Sequence, residues 1–347
     1  MLISEFDYEL PEELIAQHPL ERRDASRMLV LNRPAREFHD SRFAEFPAHV
    51  RAGDVVVVNN TRVFPARLHG RREPTGGRVE LFLIREKEGG VWETLARPAR
   101  RLSLGAKINF GDGRMQAEVT EESADGRRIV RFICKDGDSF EAALEELGQT
   151  PLPPYIKRDE EDLSEDRERY QTVYASQRGA IAAPTAGLHF TPAVMDEIRE
   201  RGARVAELTL HVGYGTFEPV RVNDLSQHRV APEHYEIGAE AARHLNDARQ
   251  SGGRIIAIGT TTTRALESAA NEEGRIKEGA GVAALTITPG YSFKAVDALL
   301  TNFHLPRSSL LALVAAFAGR DFTLDAYRHA VEARYRFYSY GDCMLII

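Results

Sequence analysis

Ile255-Ile-Ala-Ile-Gly259-Thr-Thr-Thr-Thr-Arg264-Ala-Leu-Glu-Ser-Ala-Ala-Asn271 reads as a strand, a loop and a helix in succession. The apolar run Ile255–Ile258 is the length of a buried strand, it stops at Gly259 and a run of threonines, and Arg264–Asn271 then reads as helical. A strand that breaks into a polar loop and returns as a helix is the repeat unit of a layered α/β sheet. The pattern recurs on both sides. Gly179–Ala183 opens into Pro184-Thr-Ala-Gly-Leu-His189-Phe-Thr191, Val205–Leu210 into His211-Val-Gly-Tyr-Gly-Thr216-Phe-Glu218, and Val296–Leu300 into Thr301-Asn-Phe-His304-Leu-Pro306. Ligands of open α/β sheets bind outside the carboxyl ends of strands, so polar loops at four such ends define a site. Turn formation explains any one of these loops. Three histidines and a Thr/Arg run in four successive loops favour a shared site.

Outward from this region, Thr191 as N-cap, Pro192 at N1 and Gly202 past the end frame a helix over Ala193–Arg201. Further helices are expected over Gly238–Gln250, Pro306–Ala318 and Leu324–Tyr338, which together imply a mostly parallel sheet with helical layers. Residues 1–61 hold a short helix candidate at Pro11–Gln17 and strands at Met28–Leu31 and Asp54–Asn59. From Val63 to about Thr150 the texture changes. Short runs at Val79–Ile84, Val91–Ala96, Lys107–Phe110, Met115–Val119 and Ile129–Cys134, separated by Gly and Asp turns, read as an antiparallel barrel or sandwich. A helix over Ser139–Leu147, the stiff Pro151-Leu-Pro-Pro154 and the acidic run Asp159–Asp166 follow. The expected plan is therefore discontinuous: an α/β body of residues 1–62 and 151–347, with a β-domain inserted at 63–150.

Hydrophobic residues make up 43% and charged residues 28% of the 347, the balance of an ordinary globular chain long enough for two domains. The N-terminus, Met1-Leu-Ile-Ser-Glu-Phe-Asp-Tyr8, has no basic segment leading into an apolar one, and Leu310–Phe317 is too short to span a bilayer. A cytoplasmic enzyme or binding protein without membrane attachment is expected. Cys134 and Cys343 are the only cysteines, which excludes a disulfide framework and a Cys-based zinc site. The net charge of −7 argues against a protein that coats nucleic acid by bulk electrostatics. Residues 62–115 nevertheless carry 12 Lys+Arg against 6 Asp+Glu, mostly as arginines such as Arg62, Arg100 and Arg101. This stretch is either a phosphate-binding patch or solvation of strand faces.

The loops carry the chemistry. Gly259–Arg264 joins a strand to a helix start, where free N–H groups and hydroxyls favour an anion; Thr260, Thr261 and Arg264 are candidates for a carboxylate or phosphate. One threonine is explained by capping, four are not. His211-Val-Gly213-Tyr-Gly215 follows a strand as a nucleotide-binding glycine loop would, but an extended segment follows at Phe217–Val222, so the glycines more simply let backbone approach a ligand. His189, His211 and His304 admit acid/base, structural or zinc-ligand readings, in that order. Asn59 and Asn60 end a strand and offer amides for a base or sugar, or merely a turn. Asp342, at the junction before a buried terminal strand, is placed to face the site.

As a set, these loops resemble the S-adenosylmethionine:tRNA ribosyltransferase-isomerases of queuosine biosynthesis. The matching residues are Tyr8-Glu-Leu-Pro11 with Ile15-Ala-Gln17, Arg23-Asp24-Ala-Ser26-Arg27, Asn59-Asn-Thr-Arg-Val63, Ala183–Thr191, His211–Phe217, Gly259-Thr-Thr with Arg264-Ala-Leu-Glu267, Thr301–Pro306 and Tyr335–Asp342. One departure stands at His228-Arg-Val-Ala231-Pro-Glu233, where the family pattern is closer to His-x-Met-His-x-Glu. Ala231 replaces a histidine, leaving His228 and Glu233 as candidates there.

The resemblance implies an inserted β-barrel beside the α/β body. It also implies transfer and isomerisation of the ribosyl part of S-adenosylmethionine onto 7-aminomethyl-7-deazaguanine at the wobble position of a tRNA with a GUN anticodon. Epoxyqueuosine forms, and adenine and methionine leave. S-adenosylmethionine would be a consumed cosubstrate, with no metal and no obligate protein partner, in a monomeric cytoplasmic enzyme. The chemistry needs a base for the C5′ protons beside the sulfonium, an acid for departing adenine and a neutral attacking amine. His189, His211 and His304, with Glu233 and Asp342, are the residues to carry it. Thr185, Gly187, Gly213, Gly215, Thr260, Thr261 and Arg264 would hold S-adenosylmethionine. Asn59, Asn60, Arg62, Arg22, Arg23, Arg27, Arg100 and Arg101 would contact tRNA. A metal-dependent hydrolase using the three histidines and a non-catalytic RNA-binding module remain the alternatives.

Overall fold

The computed structural model describes residues 1–123, 126–135, 137–158, 163–217 and 220–347. Residues 159–162 of the acidic run and 218–219 of the segment after the glycine loop lie outside these. The chain divides into two compact units: Met1–Arg62, Pro154–Lys157 and Arg169–Ile347 form one, Val63–Pro153 and Arg158–Glu168 the other.

In chain order the strands and helices are β1 (Arg27–Asn32), β2 (Glu37–Arg42), β3 (Val55–Asn59), β4 (Thr61–Val63), β5 (Arg67–Arg72), β6 (Gly77–Glu88), β7 (Val91–Arg97), β8 (Lys107–Phe110), β9 (Met115–Glu122), β10 (Arg127–Cys134), α1 (Phe140–Leu147), β11 (Gly148–Gln149), α2 (Leu163–Arg169), β12 (Gln177–Ala180), α3 (Pro192–Glu200), β13 (Arg204–Leu210), β14 (Glu233–Ile237), α4 (Ala239–Gln250), β15 (Ile255–Ile258), α5 (Thr260–Ala269), β16 (Gly279–Ala283), β17 (Ala298–Asn302), α6 (Ser309–Ala318), α7 (Arg320–Glu332) and β18 (Cys343–Ile346).

The first unit is built on a nine-stranded sheet ordered β16-β14-β13-β3-β15-β17-β18-β1-β2. Its centre, β13-β3-β15-β17, is parallel throughout, as is β18 with β1, while the β16-β14-β13, β17-β18 and β1-β2 pairings are antiparallel. The central strands are buried on both faces, which is why they read as unbroken apolar runs. In β3, Val55 and Val57 join the core formed with α4 to α7, while Val56 and Val58 join the core formed with α3 and the 3-10 turns Phe43–His49. Successive residues of a strand face opposite layers, so Val-Val-Val-Val anchors both.

Three expectations shift. The run Gly179–Ala183 is not a strand of the large sheet; β12 instead pairs with β4 in a two-stranded ribbon. The Pro11–Gln17 helix is only a 3-10 turn, Glu12–Leu14. Helix α5 starts at Thr260, earlier than expected; within it the buried Thr262 and Thr263 donate their hydroxyls to the carbonyls of Ile258 and Gly259 at 2.7 and 3.1 Å, which satisfies those groups inside the helix.

The second unit is a closed six-stranded antiparallel barrel, β5-β6-β7-β10-β9-β8, with β8 returning to β5 and β11 added outside β5. Closure needs Gly70, since a Cβ there would lie 2.6 Å from the Phe110 ring. Helix α1 begins at Ser139, whose hydroxyl accepts the Ala142 N–H at 3.1 Å. No helix of the described residues is long and apolar enough to cross a membrane.

Candidate active site

The carboxyl ends of β13, β3, β15 and β17 lie side by side, so the loops that follow them collect along one edge of the first unit. There a cavity of about 610 Å³, including the part open to solvent, is lined by Ala182–Ala186, Val212, Gly259–Thr261, Thr301–His304, Leu310, Tyr155, Tyr170, Tyr338 and Ser339.

One part of the cavity wall is the start of a helix. Gly259 enters α5 at φ +93°, a conformation that favours glycine, and no side chain caps the helix start. The hydroxyl-bearing Thr260 and Thr261 line the cavity beside that terminus. One turn on, the buried Arg264 pairs with the buried Glu233, while its Nε and Nη1 have no hydrogen-bond partner among the described residues. A buried guanidinium with two open donors favours a second anion. Glu233 also accepts the Gly213 N–H at 3.2 Å, which ties the loop after β13 to this ion pair.

Aromatic rings form another part of the wall. Tyr155 meets Tyr338 edge-on, with ring centroids 3.9 Å apart, and its hydroxyl bonds to Ser339. Tyr338 holds φ at +75°, an outlier for an aromatic residue. Three hydrogen bonds keep it there: its N–H donates to the Phe303 carbonyl at 3.1 Å, and its own carbonyl accepts from Asn302 Nδ2 at 3.1 Å and the Gly341 N–H at 3.0 Å.

The three histidines occupy different surroundings. His189 is buried against Phe43, with Nδ1 2.9 Å from the Ser26 hydroxyl and Nε2 3.3 Å from Asn302 Nδ2. Asn302 Nδ2 also donates to a carbonyl and its Oδ1 accepts from Thr185, so it presents an N–H to His189. The imidazole proton therefore resides on Nδ1, and both ring nitrogens are committed. Burial, reinforced by Arg336 and Arg23, lowers its pKa to about 3. His304 lines the cavity with Nε2 2.9 Å from the Thr301 hydroxyl, and burial lowers it to about 3 as well. His211 is only half-buried; its Nδ1 lies 2.7 Å from the Thr61 hydroxyl, and desolvation moves its pKa below the ordinary value. Among the described residues no three His, Cys, Asp or Glu side chains converge to hold a metal.

Other expected residues serve the frame. Asp342 is buried, with its two oxygens accepting the N–H groups of Arg27 and Arg336 at 2.9 and 2.8 Å; burial raises its pKa and those bonds oppose the rise. Gly187 lets the chain pass the Tyr174 hydroxyl, and Gly215 lets it pass Ala231, the position that departs from the family pattern; Gly213 has open space at its Cβ position. Asn59 is wholly buried and spends its amide on Leu210 and Thr61, and Asn60 spends its own on Glu207 and Thr209, so neither presents an edge to a base. Arg23 donates to the Leu188 carbonyl at 3.2 Å, and Arg27 lies 3.7 Å over the Tyr335 ring. Arg22, Arg62, Arg100 and Arg101 are exposed, with Arg22 paired to Asp24. Sequence reasoning did not single out Asn302, Thr61, Tyr155 or Tyr338. Asn302, Thr61 and Tyr338 lay inside motifs already quoted, Thr301–Pro306, Asn59–Val63 and Tyr335–Asp342, whereas Tyr155 lay in none of them.

The family model described as "Queuosine biosynthesis protein" matches residues 3–346. The chain is also similar to a solved structure of S-adenosylmethionine tRNA ribosyltransferase from Thermotoga maritima, at 38% identity and a TM-score of 0.56, covering 99% of this chain and 100% of that one.

Proposed function

The chain belongs to the queuosine biosynthesis protein family, and from that premise we propose that it transfers and isomerises the ribosyl moiety of S-adenosylmethionine onto 7-aminomethyl-7-deazaguanine at the wobble position of tRNA. Epoxyqueuosine is formed; adenine and methionine are released. The similarity to the Thermotoga maritima transferase supports this class of reaction. The observation that carries the reading is the make-up of the cavity wall: the uncapped start of α5 with the hydroxyls of Thr260 and Thr261, one turn before the half-satisfied Arg264, together with the rings of Tyr155, Tyr170 and Tyr338. A zwitterionic nucleoside has matching groups. In this reading Thr260, Thr261 and Arg264 receive the methionine carboxylate, and Tyr155 and Tyr338 flank a base.

The geometry divides the histidines. His304, neutral and in the cavity wall, hydrogen-bonds the ligand. His189 is a positioning residue, since its nitrogens are spent on Ser26 and Asn302 and through Asn302 it steadies Thr185 and Tyr338. Asp342 steadies the segment that carries Tyr338. The tRNA is met by Arg22, Arg62, Arg100 and Arg101, with Arg23 and Arg27 closer to the frame; the anticodon is read in single-stranded form. A cytoplasmic, monomeric enzyme is the natural setting. The test is incubation with S-adenosylmethionine and an anticodon stem-loop carrying the modified wobble base. Free adenine and methionine should appear in equal amounts, and tRNA binding without adenine release would leave only an RNA-binding module.

A further inference from the structure

We infer that His211 is the proton acceptor of this reaction and that the turn Asn59-Asn60-Thr61 is built to hold it, with Thr61 setting its tautomer. The inference rests on the reaction proposed above. Thr61 is wholly buried, and its hydroxyl lies 2.7 Å from His211 Nδ1 and 3.4 Å from the Gln177 carbonyl. A carbonyl only accepts, and a hydroxyl has one proton to give. Both contacts are made when Thr61 donates to Gln177 and accepts from Nδ1–H, which leaves the lone pair of His211 on Nε2.

The same turn fixes the backbone beneath the ring. Asn59 Nδ2 donates to the Leu210 carbonyl at 2.8 Å while its Oδ1 accepts the Leu210 N–H at 3.0 Å, so the residue before His211 is gripped on both sides. Asn60 Oδ1 accepts the Thr209 hydroxyl at 2.8 Å. Gly179 leaves the ring its space, since a Cβ there would come within 2.6–2.7 Å of three imidazole atoms. The next residue, Val212, belongs to the cavity wall, and the His211 ring itself is half-buried.

A base ends its step as an imidazolium, so it must be able to carry charge. His189 has no free nitrogen, and His304 is almost wholly buried in the cavity wall. His211 keeps a free Nε2 and enough exposure for its charged form to be hydrated. In the step assigned to it, the C5′–H bond of S-adenosylmethionine breaks, Nε2–H forms, and the electron pair stays on C5′ beside the sulfonium.

Two measurements test this. Nitrogen-15 spectra of histidine-labelled protein, with the His211→Gln variant supplying the resonance assignment, should show protonated Nδ1 and bare Nε2 in the ligand-free parent. In turnover, His211→Gln should lower kcat by about 10²-fold or more. Thr61→Val should lower it at least about tenfold with KM for S-adenosylmethionine within about twofold, and Thr61→Ser should recover most of the loss. An Nε2–H tautomer in the parent overturns the inference. So does a Thr61→Val enzyme that keeps the parental kcat, or that raises KM alone. A parent that releases no adenine sinks the reaction and this assignment together; an active parent with these results sinks only the assignment.

Discussion

Lowering the pH from 7.5 to 5 should destabilise this protein through His189 and His304. Burial holds both imidazoles at about 3 in the folded chain, against roughly 6.5 in an unfolded one. At pH 5 the unfolded chain binds a proton at each ring that the folded chain refuses. A histidine depressed in this way contributes its full stability above the unfolded value and loses it as the pH falls towards the folded one, so the window runs from about 6.5 down to about 3. Over the roughly 1.5 units from 6.5 to 5, at about 1.4 kcal/mol per unit, each ring costs about 2 kcal/mol and the pair about 4 kcal/mol. Carboxylates titrate over the same range, so the measurement is a difference between proteins. In His189→Asn the amide nitrogen stands near Nδ1 and can still face Ser26; in His304→Gln it stands near Nε2 and can still face Thr301. Guanidinium unfolding at pH 7.5, 6.5 and 5 should show the parent losing about 2 kcal/mol more than His189→Asn and about 4 kcal/mol more than the double variant. Stability curves that run parallel for all three would refute the argument from burial.

Three further outcomes follow from particular contacts. A Cβ at Gly187 would overlap the Tyr174 hydroxyl, which is buried without a hydrogen-bond partner. Gly187→Ala should therefore cost about 1–3 kcal/mol, while Tyr174→Phe should be neutral or stabilising by up to about 1 kcal/mol and should recover part of that loss, Thr172 Cγ2 still lying 2.8 Å from the added Cβ; thermal unfolding decides, and a harmful Tyr174→Phe would show that the hydroxyl has a partner. Glu233→Gln leaves the Arg264 charge buried and unmatched, at about 3 kcal/mol, whereas Arg264→Lys keeps a charge but loses the fork and should weaken S-adenosylmethionine binding at least about tenfold by calorimetry. Finally, affinity for tRNA should fall steeply between about 50 and 200 mM salt, and replacing Arg100 and Arg101 by Ala should flatten the logarithmic slope by up to about one per cation removed; an unchanged slope would remove both from the interface.

Local chemistry was legible in the sequence and distant pairing was not. Helix α3 could be read from Thr191 and Pro192 because capping is settled within a turn, and the Thr191 hydroxyl does accept the Val194 N–H. The central strands could be read because burial on both faces makes them apolar throughout. Strand β5, Arg-Leu-His-Gly-Arg-Arg, escaped because only Leu68 of its six residues is buried, β14 because it is short and half polar, and β16, Gly-Ala-Gly-Val-Ala, because it is short, glycine-rich and mostly exposed. The start of α5 escaped because four β-branched residues look like a loop. In the site, the histidines were visible as polar residues at strand ends, but their roles depend on Asn302, 113 residues from His189, and on Thr61, 150 residues from His211. No local pattern announces such pairs.

The cavity edge handles its titratable groups in two ways, and the difference bears on function. His189 and His304 are kept neutral by desolvation and are satisfied by hydroxyl or amide partners, so no counter-charge is stored near the reacting atoms. At the start of α5, by contrast, a full positive charge is buried with one carboxylate and two idle donors. An unsatisfied buried guanidinium is costly in the empty site. A ligand carboxylate that completes it recovers that cost on binding, whereas a ligand lacking the carboxylate recovers none. In the reaction proposed above, this arrangement would favour a ligand with an amino-acid end. Asn59, Asn60 and Thr61 fit the same logic. They end β3 with polar side chains that face inward, and each is spent on the strand or the histidine beside it.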